Sequence, residues 1–298
     1  MNPAVLYFAS GESLYAGAAV LLLAMAMSPY CKRGSLLQLR NCAAWLALAL
    51  MVMASPPFAW VIDAIFFSTF VMWFIAANRA APGQALVRLR LAATAVLLVL
   101  LLVFPTMEFF RRTMPAIVGA PDNHLVVIGD SISSGIDARV PPWPVLMERA
   151  TGVPVKNLAR PGAQAIEGSA LAEQVAPEDR VVVIEIGGND LLGGVPSEEF
   201  GRGLEALLEK VARPGRTVVM FELPLLPNRV AYGQVQRRLA ARYGVWLIPK
   251  RCFTDVIAGA DATSDGLHLS ELGSHRMSAL VARILSPVLE SRNKRILP

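Results

Sequence analysis

The stretch His124-Leu125-Val126-Val127-Ile128-Gly129-Asp130-Ser131 decides how the chain is read. Its middle is a short run of apolar, partly β-branched residues, and it stops abruptly at Gly-Asp-Ser. A run of that length and composition is a strand buried on both faces. The serine then stands at the strand's carboxyl end. Further apolar runs follow at 153–158, 181–186, 217–221 and 245–248. Between and after them lie helical patterns at 143–151, 163–175, 198–212, 230–243 and 271–290. Strand–helix alternation predicts an α/β domain, a mostly parallel five-stranded sheet with helices on both faces. Ligands in such folds bind beyond the carboxyl ends of the strands.

Three further features occupy those ends. Gly162 follows the second run, Gly187-Gly188-Asn189-Asp190 follows the third, and Asp265-Gly266-Leu267-His268 comes after the last. A serine hydroxyl is a weak nucleophile until a base takes its proton. His268 suits that task, and Asp265, three residues earlier, can hold the imidazole in the right tautomer. The oxyanion formed on attack needs donors aimed at it. The Asn189 amide, the Gly162 N–H and the N–H of Ser131 itself are the candidates. Leu191, Leu192 and Arg160 are candidate substrate-pocket residues. Asp130 and Asp190 read as loop-bracing carboxylates. Ser131 alone would also suit a helix N-cap, and Asp265 or His268 could cap a helix starting near Ser270. The order and spacing of the whole set favour the catalytic reading.

Gly129-Asp130-Ser131-Ile132-Ser133, Gly162, Gly187-Gly188-Asn189-Asp190 and Asp265-Gly266-Leu267-His268 together resemble the four signature blocks of the SGNH (GDSL) hydrolases. The likeness is greatest to the bacterial thioesterase, lysophospholipase and arylesterase subgroup, through Glu185-Ile186-Gly187-Gly188-Asn189-Asp190. The resemblance implies a flavodoxin-like three-layer α/β/α fold, no metal or cofactor, and an acyl-serine intermediate. It implies Ser131 as nucleophile, His268 as base, Asp265 as its orienter, and Ser131, Gly162 and Asn189 as the oxyanion hole.

The N-terminal part has a different composition. The chain is 54% apolar and 17% charged, against roughly 25% charged in a typical soluble domain. The shortfall lies before Phe110. Apolar segments at 9–29, 42–57, 58–77 and 87–105 predict an all-α bundle of about four transmembrane helices. The Ser55-Pro56-Pro57 break makes the middle two a hairpin. The organisation expected is a membrane region over 1–110, a linker over 111–123 and the hydrolase domain over 124–298. Lys32, Arg33 and Arg40 in one loop and Arg79, Arg88 and Arg90 in another predict cytoplasmic loops. The N-terminus and the hydrolase domain then lie outside, which in a bacterial inner membrane is the periplasm. Asp63, the one acid inside a span, reads as sitting near the outer end of the third helix. Trp45, Trp60 and Trp73 read as interfacial or packing residues.

Net charge is +5 without a basic block carrying interleaved aromatics, so nucleic acid is not an expected partner. Cys31, Cys42 and Cys252 form no CxxC or His/Cys cluster, so neither a zinc site nor a disulfide framework is expected. The expected partners are an acyl-ester substrate and the lipid bilayer. The expected activity is hydrolysis of lipid, lysophospholipid or small esters. An O-acetyl esterase or acetyltransferase acting on envelope polysaccharide is the alternative, and an idle membrane-anchored interaction domain is the alternative of another class.

Overall fold

The structure is a computed structural model and describes residues 2–31, 33–79, 82–119 and 122–289. The chain divides into two compact units. One comprises Tyr7–Thr113 with Leu225–Val230, the other Met1–Leu6, Met114–Pro224 and Ala231–Pro298.

The N-terminal part of the chain carries the helices α1 (Pro3–Ala9), which begins in the other unit, and α2 (Ser13–Met27), α3 (Gly34–Met53), α4 (Trp60–Ala77) and α5 (Gln84–Arg111) of the first. The last three are long and apolar enough to cross a membrane, and α1 and α2 would make a fourth span only if taken together. Within the segment expected over 9–29 the helix is α2 alone, 15 residues and short for a span, and a break at its start separates it from α1. The two helices meet at 81°. Gly11 takes φ +79° at the break, and the Ser10 hydroxyl donates to the Tyr7 carbonyl and accepts from the Glu12 N–H.

Helix α3 also starts earlier than its hydropathy suggests. Arg40, expected in a loop, is fully buried on α3. Its guanidinium donates to the Ala77 carbonyl at 3.0 Å and to Asn41 Oδ1 at 2.6 Å. A cation at the carboxyl end of α4 meets that helix's unpaired carbonyls and its negative dipole end. Polar residues can thus join an apolar helix when a neighbouring helix end satisfies them. Helix α5 runs through Pro105 to Arg111 and takes in the start of the expected linker. Asp63 lies in the first turn of α4, where the helix dipole favours a carboxylate. Trp73 is buried, while Trp45 and Trp60 are exposed. Lys32 lies outside the described residues.

The second unit alternates as expected: β1 (Leu125–Gly129), α6 (Ser131–Ser134), α7 (Trp143–Thr151), β2 (Val155–Asn157), α8 (Ala165–Ala172), β3 (Val181–Glu185), α9 (Gly188–Gly193), α10 (Ser197–Val211), β4 (Thr217–Phe221), α11 (Val230–Tyr243), β5 (Trp246–Ile248), α12 (Lys250–Ile257) and α13 (Glu271–Leu285). All strands pair in parallel in the order β2-β1-β3-β4-β5, the flavodoxin-like arrangement. The region around Cys252, which lies outside the helical patterns of the sequence, is helix α12. Cys252, Val256 and Ile257 fall on one helical face and join the core.

Every residue of β1, β3 and β4 is buried. Leu125, Val127, Val181 and Val183 point into a core shared with Trp143 and Met147 of α7 and Met277, Val281 and Leu285 of α13. Side chains alternate along a strand, so Val126, Ile128, Val182 and Ile184 fill the opposite face. Fully burying each such side chain is worth roughly 1.5–3 kcal/mol, so the central strands are the rigid base of the site. Helices α8 and α10 meet closely at Gly203, where a Cβ would lie 2.5 Å from the Ile166 nitrogen.

Candidate active site

The direction of the strand order reverses between β1 and β3, and ligands of such sheets bind at that switch point. Those two strands carry Ser131 and Asn189 at their carboxyl ends. They are in register there, Gly129 opposite Glu185. The approach is tight: a Cβ on Gly129 would lie 2.8 Å from both the Glu185 carbonyl and the Ser133 hydroxyl.

Ser131 opens the four-residue helix α6, but it is not the cap. Asp130 is the N-cap, its Oδ1 accepting from the Ile132 N–H at 3.0 Å. The Ser131 hydroxyl is thereby left to face His268, whose Nε2 lies 3.1 Å from Oγ. His268 Nδ1 is 2.6 Å from Asp265 Oδ2. The other Asp265 oxygen accepts from the backbone N–H groups of Leu267 and His268, at 2.9 and 2.8 Å. The His268 side-chain bond, then these two backbone bonds, hold the Asp265 carboxyl well below the usual carboxylate range. Gly266 makes this tight loop possible with φ +89°. The cap of α13 is Ser270, which accepts from the Gly273 N–H, so neither Asp265 nor His268 is spent on that helix.

Gly162 occupies the third position of the turn Arg160-Pro161-Gly162-Ala163, closed by Ala163 N–H to Arg160 C=O at 3.2 Å. Its φ of +77° is what a type II turn demands at that position. The turn bond uses the Ala163 N–H and leaves that of Gly162 unspent. Nothing lies within 4 Å of where a Gly162 Cβ would stand, so the backbone there is approachable. Asn189 Nδ2 donates to the Ala163 carbonyl at 3.0 Å and to Asp130 Oδ2 at 3.2 Å. Asp190 Oδ2 accepts from the Ala165 N–H at 3.0 Å, joining the Gly162 and Asn189 loops. Tyr232 supports this from behind, its hydroxyl donating to the carbonyls of Asp190 and Val195.

Ser131, His268, Asp265, Asn189 and the Gly162 turn are thus brought to one end of the sheet. A cavity of about 110 Å³ opens beside Ser131 and His268, lined by Ile132, Ile136, Val140, Pro142 and Leu269 among others. Leu191, Leu192 and Arg160 do not line it: Leu191 is buried, while Leu192 and Arg160 are exposed. His124 is occupied elsewhere, with Nε2 2.7 Å from Asp179.

Behind the site lies a group of residues that motif reading alone does not weigh. Glu185, 5% exposed, accepts from the Ser133 hydroxyl at 2.8 Å. Ser133 in turn accepts from Trp143 Nε1 at 3.1 Å, which satisfies the indole N–H of a fully buried tryptophan. Burial pushes Asp130 up to about 6 and pushes Glu185 well above the usual carboxylate range. An acidic residue closing an otherwise apolar, fully buried strand was the available signal.

The catalytic unit is similar in sequence to known proteins. Residues 127–276 match the GDSL-like Lipase/Acylhydrolase family. The chain is 28% identical over 181 residues to Esterase TesA of Pseudomonas aeruginosa, covering 55% of this chain and 89% of that protein. It is 29% identical over 162 residues to an arylesterase of Vibrio mimicus, covering 48% and 78% respectively. Against the crystal structure of TesA the TM-score is 0.48 at 28% identity, covering 56% of this chain and 99% of the other. The family match takes in half of the chain, including the segments that carry Ser131, Gly162, Asn189, Asp265 and His268, and the chain accordingly belongs to the GDSL-like lipase/acylhydrolase family and is a serine ester hydrolase.

Proposed function

We propose that the protein is a membrane-anchored serine esterase whose catalytic unit works at the periplasmic, outer face of the membrane. The observation that carries the chemistry is the continuous chain from Ser131 Oγ through His268 to Asp265, with separations of 3.1 and 2.6 Å. Ser131 Oγ attacks the ester carbonyl carbon while His268 Nε2 takes its proton. Asp265 remains ionised and stabilises the imidazolium. The oxyanion is met by the N–H groups of Ser131 and Gly162 and by Asn189 Nδ2. Asn189 exchanges its bond to the neutral Ala163 carbonyl for the oxyanion and keeps its bond to Asp130. The C–O bond to the leaving group then breaks, and His268 returns its proton to the departing oxygen. A water molecule, deprotonated by His268, releases the acyl group and restores Ser131.

The anchoring reading rests on three helices of spanning length and apolarity. The outward orientation rests on the positions of Arg33, Arg79, Arg88 and Arg90. A domain held at a bilayer meets lipid and lysophospholipid esters, and these are the substrates we infer. Purified full-length protein is expected to hydrolyse p-nitrophenyl acyl esters, and a Ser131→Ala blank fixes the background. A series from acetyl to long acyl chains reports the substrate. Turnover of medium or long chains supports the lipid reading, and turnover restricted to acetyl contradicts it in favour of a polysaccharide O-acetyl substrate. Unchanged turnover in Ser131→Ala overturns the mechanism.

A further inference from the structure

Two carboxyl groups lie buried behind the oxyanion side of the site, and they are unequally provided with donors. Asp130, 2% exposed, accepts from the Ile132 N–H at 3.0 Å and from Asn189 Nδ2 at 3.2 Å. Glu185 accepts from the Ser133 hydroxyl at 2.8 Å and draws besides on the Asp130 N–H. The two are adjacent: the Asp130 N–H donates to the Glu185 carbonyl at 3.2 Å, and each side chain acts on the other's ionisation. Among the described residues neither is ion-paired to a lysine or arginine. The ionisable groups that face Asp130 besides Glu185 are His268 and Asp190, and the one that faces Glu185 is Asp130. Two neighbouring buried carboxyls without a cation cannot both carry charge, so one holds a proton. A carboxylate is stabilised by N–H donors, and Asp130 has two of them to Glu185's one.

The geometry points to Glu185 as a positioning residue that stays protonated at neutral pH and leaves a single negative charge, on Asp130, to hold the Asn189 amide. This inference rests on the esterase reading, since it gives Asn189 its orientation for the oxyanion. A second charge at Glu185 would lie close behind the oxyanion hole and oppose the charge that forms there during attack. Burial acts on Glu185 in the required direction, raising its proton affinity.

Infrared spectroscopy and kinetics on the full-length protein test this together. Wild type at neutral pH is expected to show the carbonyl stretch of a buried protonated carboxylic acid, and Glu185→Gln is expected to lack it. Glutamine is neutral and can still donate an N–H, so Glu185→Gln is expected to keep kcat within about threefold. Glu185→Ala is expected to lower kcat at least tenfold with KM changed less than twofold. Absence of the band in wild type overturns the inference, because Glu185 is then ionised. A kcat in Glu185→Gln as low as in Glu185→Ala also overturns it, because the anion is then what the site needs. Full kcat in Glu185→Ala shows that no positioning is required. The infrared band does not depend on turnover, so it decides even if Glu185→Ala fails to fold or the esterase reading fails.

Discussion

His268 Nε2 lies 3.1 Å from Ser131 Oγ, across a sequence separation of 137 residues. No local turn could make that contact. It exists because β1 ends at the switch point of the sheet and the loop before α13 returns to the same end. The loop is fixed by its own bonds: the Ser264 N–H donates to the His268 carbonyl at 2.9 Å, and Thr263 bridges Leu269. A base held this way needs little reorganisation when it accepts the serine proton.

Asn189→Ala removes the only side-chain donor assigned to the oxyanion. Losing one such donor costs roughly 10²–10³ in kcat. We expect that loss with KM changed by no more than a few-fold, measured by steady-state hydrolysis of p-nitrophenyl esters. A large rise in KM with unchanged kcat would mean that Asn189 binds the ground state instead.

Gly162→Ala tests the turn. The space around the residue is open, so the added methyl meets no neighbour. The φ of +77° remains costly for any Cβ, at about 1–2 kcal/mol. The variant is expected to unfold at a temperature a few degrees lower and to lose at least tenfold in kcat as the turn relaxes and its N–H turns away. Full activity at unchanged stability would remove Gly162 from the oxyanion hole.

Asp130 predicts an unusual dependence of stability on pH. Its folded value of about 6 lies above the ordinary 3.8, so the folded state binds its proton more tightly than the unfolded state does. The stability this contributes is present below about pH 4 and is lost as the pH rises to about 6. Asparagine does not titrate. The Tm of Asp130→Asn relative to wild type is therefore expected to rise between pH 4 and pH 7, while kcat falls because Asn189 loses its charged acceptor. A Tm difference independent of pH contradicts the assignment.

The orientation of the chain is open to labelling with a membrane-impermeant thiol reagent in a cysteine-free background. A cysteine at Glu198, on the catalytic unit, is expected to react in intact spheroplasts. One at Ser35, beside Arg33, is expected to react only after permeabilisation. The reverse pattern puts the esterase in the cytoplasm.

Most of the catalytic unit was legible because its strands are short, apolar and buried on both faces, because Ser131, Gly162 and Asn189 each follow the end of a run, and because His268 has Asp265 three residues before it. Helix α12 was not legible, since its eight residues are too few to separate a helical face from a loop rich in mixed residues. The break at Gly11 falls in Ser10-Gly11-Glu12-Ser13, at the start of the expected first span, where hydropathy does not register the turn of a positive-φ glycine. The start of α3 was hidden for a different reason. Arg40 and Asn41 look like loop residues until the carboxyl end of α4 supplies their partners, Ala77 and Asn78. The Asp130 and Glu185 pair lay within the recognised motifs, but its meaning depends on the cross-strand register, which residue spacing does not state.

The central claim is that Ser131 is a nucleophile activated by His268. The most direct test is to treat the purified full-length protein with a fluorophosphonate and locate the adduct by peptide mass spectrometry. One stoichiometric adduct is expected, on Ser131, absent in Ser131→Ala and strongly slowed in His268→Ala. An adduct on another residue, or undiminished labelling and ester turnover in Ser131→Ala, would contradict it.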